Sequence, residues 1–135
     1  MIYYFIAIIV FGLVVLVLIT KFGKFKPQRL NQQYFEAKWL ELLTRVKSPE
    51  GMVLSVIDAD KLLDDALKKR HIRGKTMGER LVSAQRQLTD NDGVWFAHKL
   101  RNRLVHEPEA RLRQSEAKTA LAGIRQGLKD LGALK

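Results

Sequence analysis

Apolar residues are laid out along this chain in two different ways. Over residues 2–19 they run almost without a break, interrupted only by Gly12 and carrying no charge. From residue 30 onward they recur at intervals of three and four. The first pattern is apolar all round, which fits a membrane span better than a core helix. Roughly 18 residues at 1.5 Å each cover about 27 Å, close to the ~30 Å hydrocarbon core. The second pattern predicts amphipathic helices that share a core.

Five such helices are expected. The first covers residues 30–46, with Tyr34, Trp39, Leu42, Leu43 and Val46 as its apolar positions. Ser48-Pro49-Glu50 then offers an N-cap, a first-turn proline and an acid that complements the helix dipole. The second helix follows to about Arg70 on the stripe Met52, Val56, Ala59, Leu63 and Leu67. Gly74 is its expected stop. Thr76 and Glu79 have the spacing of a capping box and open a short third helix to about Gln87. Residues 89–93 form a turn, the fourth helix reaches Val105, and Pro108 bars its continuation. The fifth begins near Ser115 and uses Ala117, Leu121, Ile124, Leu128 and Leu131. No segment alternates with period two, so no strand is expected. The reading is an all-α chain. It comprises a transmembrane anchor at 1–22, a basic juxtamembrane segment at 23–30, and a five-helix antiparallel bundle at 31–135.

Charge gives the anchor an orientation. No cation precedes the apolar run, and no small-residue cleavage site follows it, so a cleaved signal peptide is not the expectation. Lys21, Lys24, Lys26 and Arg29 follow instead, a stop-transfer and positive-inside signal that predicts a cytoplasmic C-terminal domain. Tyr3 and Tyr4 suit the opposite interface. The whole chain carries 24 Lys and Arg against 14 Asp and Glu, a net of +10. Part of that excess favours anionic headgroups. The rest suits a nucleic acid or another polyanion. Cysteine is absent, which excludes disulfides and thiolate metal sites.

Residues 95–108, WFAHKLRNRLVHEP, concentrate the candidate chemistry. On a helix at 100° per residue, Val94, Ala97, Leu100, Leu104 and Val105 share an arc of about 140°, and Arg101 falls inside it. His98, Asn102 and His106 follow one another at spacings of four along its edge. A guanidinium on an apolar face is costly unless paired or hydrogen-bonded. Asp60, at the edge of the second helix's apolar face, is a natural partner, with Asp64 one turn on. An internal Arg–Asp pair that fixes helix register would account for Arg101 without any function. His98 admits three readings: a hydrogen-bonded interface residue, a second catalytic or RNA-contacting group, or a metal ligand with His106. No carboxylate on this helix completes a metal site, so none is expected. The basic run at 68–75, which includes Lys75, reads as a solvated helix end or a phosphate-contacting loop. Trp39 and Trp95 read as core or interface residues.

Arg101-Asn102-Arg103-Leu104-Val105-His106 resembles the R-x4-6-H signature of HEPN domains, in which a polar residue often follows the arginine. The resemblance extends over residues 30–135. It implies an all-α bundle that forms a homodimer, so that two such motifs face each other across a basic cleft. It further implies a metal-independent endoribonuclease with no small-molecule cofactor. His106 would move protons at the ribose 2′-hydroxyl or the leaving 5′-oxygen, Arg101 would stabilise the phosphorane, and Asn102 would orient the phosphate or the imidazole. Lys75, His98, Lys99 and Arg103 would contact RNA. Other HEPN-like domains are non-catalytic binding or dimerisation modules, and the resemblance extends to that role equally.

Overall fold

The structure is a computed structural model that describes residues 1–22 and 28–135. Most of the expected juxtamembrane segment, including Lys24 and Lys26, lies outside the described residues. The described residues form six helices and no strand: α1 (Ile2–Phe22), α2 (Gln32–Arg45), α3 (Pro49–Lys69), α4 (Met77–Ala84), α5 (Asn91–His106) and α6 (Gln114–Asp130). α1 is long and apolar enough to cross a membrane, and none of it is buried against the rest of the chain.

Local side-chain chemistry fixes where most helices begin. Asn31 accepts the Tyr34 N–H at 3.2 Å and starts α2. Ser48 accepts from Gly51 at 3.0 Å, with Pro49 in the first turn of α3. Asp90 accepts from Gly93 at 2.9 Å and starts α5. Each side chain satisfies a donor that the helix itself leaves without a partner. Thr76 caps α4 by accepting from Glu79 at 3.2 Å. The return bond of the expected capping box is displaced by one residue: Glu79 accepts the N–H of Lys75, not of Thr76, at 2.6 Å. α4 also ends at Ala84, short of the expected Gln87.

α3 stops earlier than its glycine would suggest. His71 takes the left-handed conformation (φ 56°), and the Ile72 N–H turns back to the Leu67 carbonyl at 3.0 Å. That is the geometry of a Schellman cap, with histidine where glycine is usual. Gly74 is therefore not the stop residue.

α3 is the central helix and packs against α2, α4, α5 and α6, while α5 packs against α6. Phe35, Val56, Leu63, Leu67, Leu81, Val94, Ile124 and Leu128 are fully buried between them. Burying one such side chain stabilises the fold by about 1.5–3 kcal/mol. The segment after α6 adds Leu131, Ala133 and Leu134 to this core. α5 and α6 meet backbone to backbone: a Cβ on Gly123 would lie 2.4 Å from the Gly93 carbonyl carbon. A glycine at position 123 permits that approach, whereas a Cβ on Gly93 would meet the Asp90 cap of its own helix.

Candidate functional site

All the expected site residues except Lys75 lie on α5, which α3 and α6 hold from two sides. Val94, Ala97 and Leu100 are buried and anchor its inner stripe. Arg101 follows on the same face, as the spacing predicted, and its side chain keeps 26% of its surface exposed. Its Nε lies 3.7 Å from the Asp60 carboxylate, too far for a hydrogen bond, and Nη1 donates to the Asn102 side-chain oxygen at 3.0 Å. The predicted approach of Asp60 to a cation on a neighbouring helix is thus present. Its closest partner, however, is His98, whose Nδ1 stands 3.1 Å and 3.2 Å from the two Asp60 oxygens.

Asp60 is 5% exposed and the His98 side chain 13% exposed. His98 is therefore turned inward, with Trp95 edge-on against its ring at 6.0 Å between centroids. In its bonding it corresponds to the hydrogen-bonded histidine of the sequence reading. A buried carboxylate needs such partners, because an unpaired charge in the interior is costly.

His106 ends α5 and is exposed. Its ring makes no hydrogen bond or ion pair among the described residues. Lys99 and Lys75 are also exposed. Lys75 lies in the connection between α3 and α4, and no hydrogen bond or ion pair joins it to the α5 strip among the described residues.

Arg103 is committed elsewhere. Its Nη2 donates to Glu116 at 3.0 Å, and Glu116 also accepts the Arg113 N–H at 3.0 Å. The Arg113 backbone N–H and then the Arg103 side chain hold the Glu116 carboxyl down to about 2. Arg103 thereby ties α5 to the start of α6 through Nη2, while its side chain stays 38% exposed.

Sequence reasoning passed over one buried cation. Arg80 on α4 is 8% exposed and forks onto Asp64, with Nε to Oδ1 at 2.7 Å and Nη2 to Oδ2 at 3.0 Å. Its Nη1 donates to the Gly74 carbonyl at 2.8 Å. The signal was the one that exposed Arg101: with Met77, Leu81 and Ala84, Arg80 falls on the apolar stripe of its helix.

The hollows beside Trp39 and beside Arg70 are lined by other residues. No protein-family model, curated protein or solved structure matches this chain.

Proposed function

We propose that this chain is a membrane-tethered HEPN-like protein, its helices arranged as an antiparallel bundle on the cytoplasmic side, that cleaves RNA without a metal where two copies bring their α5 strips together. One observation carries the reading. Arg101 is steadied by Asp60 and Asn102 but stays partly exposed, on the same helix as an exposed His106 whose ring has no partner among the described residues. A guanidinium oriented in advance, with donors to spare, suits phosphate oxygens. A solvent-facing imidazole can reach a bound ribose or leaving oxygen to exchange a proton with it.

In the proposed reaction the ribose 2′-hydroxyl attacks its neighbouring phosphorus and passes its proton to one imidazole. The 5′-oxygen departs and takes a proton from the other copy's His106. The products are a 2′,3′-cyclic phosphate and a 5′-hydroxyl. Arg101 offsets the charge that builds on the equatorial oxygens. RNA supplies its own nucleophile, so the step balances without a metal or cofactor.

A second reading is a non-catalytic scaffold that uses the same face to dimerise. It is favoured by the Asp60 carboxylate, which already faces the Nε edge of Arg101. The two separate on one experiment. The full chain in detergent micelles is incubated with mixed RNA in the presence of a chelator, beside His106→Ala and Arg101→Ala. Cleavage that both variants abolish, with unchanged melting, supports the ribonuclease. No cleavage, or cleavage that survives His106→Ala, leaves the scaffold.

A further inference from the structure

The bundle begins where residues 29–33 pass the ends of α3 and α6. A hollow of about 590 Å³ opens there, lined by Arg29, Asn31, Gln33 and Arg70 together with Leu131 and Gly132. No carboxylate lines it. Arg70 is half-buried, and its Nε is wholly buried with no hydrogen-bond partner. Its neighbours in the basic run are neutralised: Lys68 pairs with Asp64 and Lys69 with Asp65, each at 2.9 Å. Arg70 has no such acid among the described residues.

The end of a helix favours a cation, which accounts for a charge at position 70. It does not account for a guanidinium that borders a hollow while its two terminal nitrogens make no hydrogen bond or ion pair among the described residues. The Nε is occluded, as are those of Arg101 and Arg103, so a ligand in the hollow would be met by the Nη atoms. A phosphate oxygen would supply their acceptor, and the planar fork of arginine matches phosphate geometry. Arg29 brings a second cation to the same hollow. Gln33 stands in the first turn of α2, whose N–H groups have no helix carbonyl to meet.

Position in the chain narrows the source of that phosphate. Arg29 stands seven positions after Phe22, the last residue of α1. Seven residues reach at most about 25 Å, so a bilayer holding α1 brings its headgroups within range of the hollow. We infer that this hollow is a phosphate-binding site in which Arg70 and Arg29 grip the anion. Two sources share that chemistry: the headgroup of an anionic phospholipid and a free phosphate. The lipid source rests on α1 lying in a membrane, and the site itself does not. Neither depends on the α5 strip cleaving RNA.

The test uses the full chain in neutral detergent micelles, read by native mass spectrometry. It is titrated separately with phosphatidylglycerol, with phosphatidylcholine and with inorganic phosphate. Arg70→Gln, Arg29→Gln and, on the exposed surface of α6, Lys118→Gln are compared at equal charge loss. Phosphatidylglycerol should stay bound at least tenfold more tightly than phosphatidylcholine. Arg70→Gln and Arg29→Gln should each weaken it about tenfold, and Lys118→Gln should leave it unchanged. Retention of inorganic phosphate instead, with the same dependence on both arginines, keeps the site and assigns it the soluble ligand. Arg29 is exposed, so its variant keeps the question open to test even if Arg70→Gln lowers the melting temperature. Equal loss in all three variants would mean diffuse charge and would overturn the proposal. So would binding that ignores both arginines.

Discussion

Asp60 and Asp64 sit one turn apart on α3, and both face cations from neighbouring helices. Their surroundings differ in completeness. Asp64 is held by both arms of the Arg80 fork, and Arg80 spends its remaining Nη1 on a backbone carbonyl. Asp60 is bonded by one imidazole, and Arg101 stands off at 3.7 Å with much of its donor capacity unspent. The first arrangement is saturated and acts as a fastener between α3 and α4. The second is unsaturated: the Arg101 Nε is buried without a hydrogen-bond acceptor, and part of the side chain stays exposed on the helix that carries His106. The comparison teaches that a buried acid opposite an arginine is not enough to identify a site. What matters is how much of the guanidinium the acid leaves free.

The largest effect should come from breaking the saturated pair. Arg80→Ala strands a carboxylate that is 16% exposed, with Lys68 as its remaining partner. The expected cost is about 3 kcal/mol, the lower end for a broken buried pair. Unfolding followed through Trp39 and Trp95, the chain's two tryptophans, should shift by at least about 12 °C at roughly 4 °C per kcal/mol. Asp60→Ala should cost less, about 2 kcal/mol, because Arg101 can turn its charge toward solvent. A melt in which Asp60→Ala falls as far as Arg80→Ala would reverse the ranking drawn between the two acids.

Smaller still is the response to acid at the junction of α5 and α6. The Glu116 carboxyl is lowered in the fold, so its contribution is fully present above its ordinary pKa of 4.5. That contribution fades as pH falls toward about 2. A Glu116→Gln protein should therefore show a shallower drop in melting temperature across that window. Parallel curves for parent and variant would dissociate Glu116 from acid stability. His106→Ala should move stability least, within about 0.5 kcal/mol, as expected of an exposed residue. A large destabilisation there would mean that His106 supports the bundle rather than awaiting a ligand.

Much of this could be read from spacing. Three-and-four periodicity located α2 to α6, and Ser48, Thr76 and the residues around Asp90 marked their starts. Arg101 and Asp60 were found because each interrupts or borders an apolar stripe. Arg80 follows the same rule but lies on an eight-residue helix, where two turns make a weak periodic signal. The Asp60–His98 bond was beyond reach, since periodicity assigns a face and not a rotamer. The end of α3 near Arg70 was legible, but its stop residue was not, because a left-handed histidine does the work expected of Gly74. The burial of Leu134 depends on the chain turning back after Gly132, a tertiary event with no periodicity of its own.

The contact between Gly93 and Gly123 has a mechanical consequence. It lies near the start of α5, and His106 lies at the other end, about 20 Å away at 1.5 Å per residue. With the near end pressed against another backbone, the helix is a lever whose fulcrum has no slack. Adding even a methyl group at that crossing would displace the near end, and the shaft would convert the displacement into a tilt. The strip of Arg101, Asn102 and His106 would then swing as a unit, with none of its own atoms replaced. The aim of the strip is set from another helix, by a residue that carries no side chain.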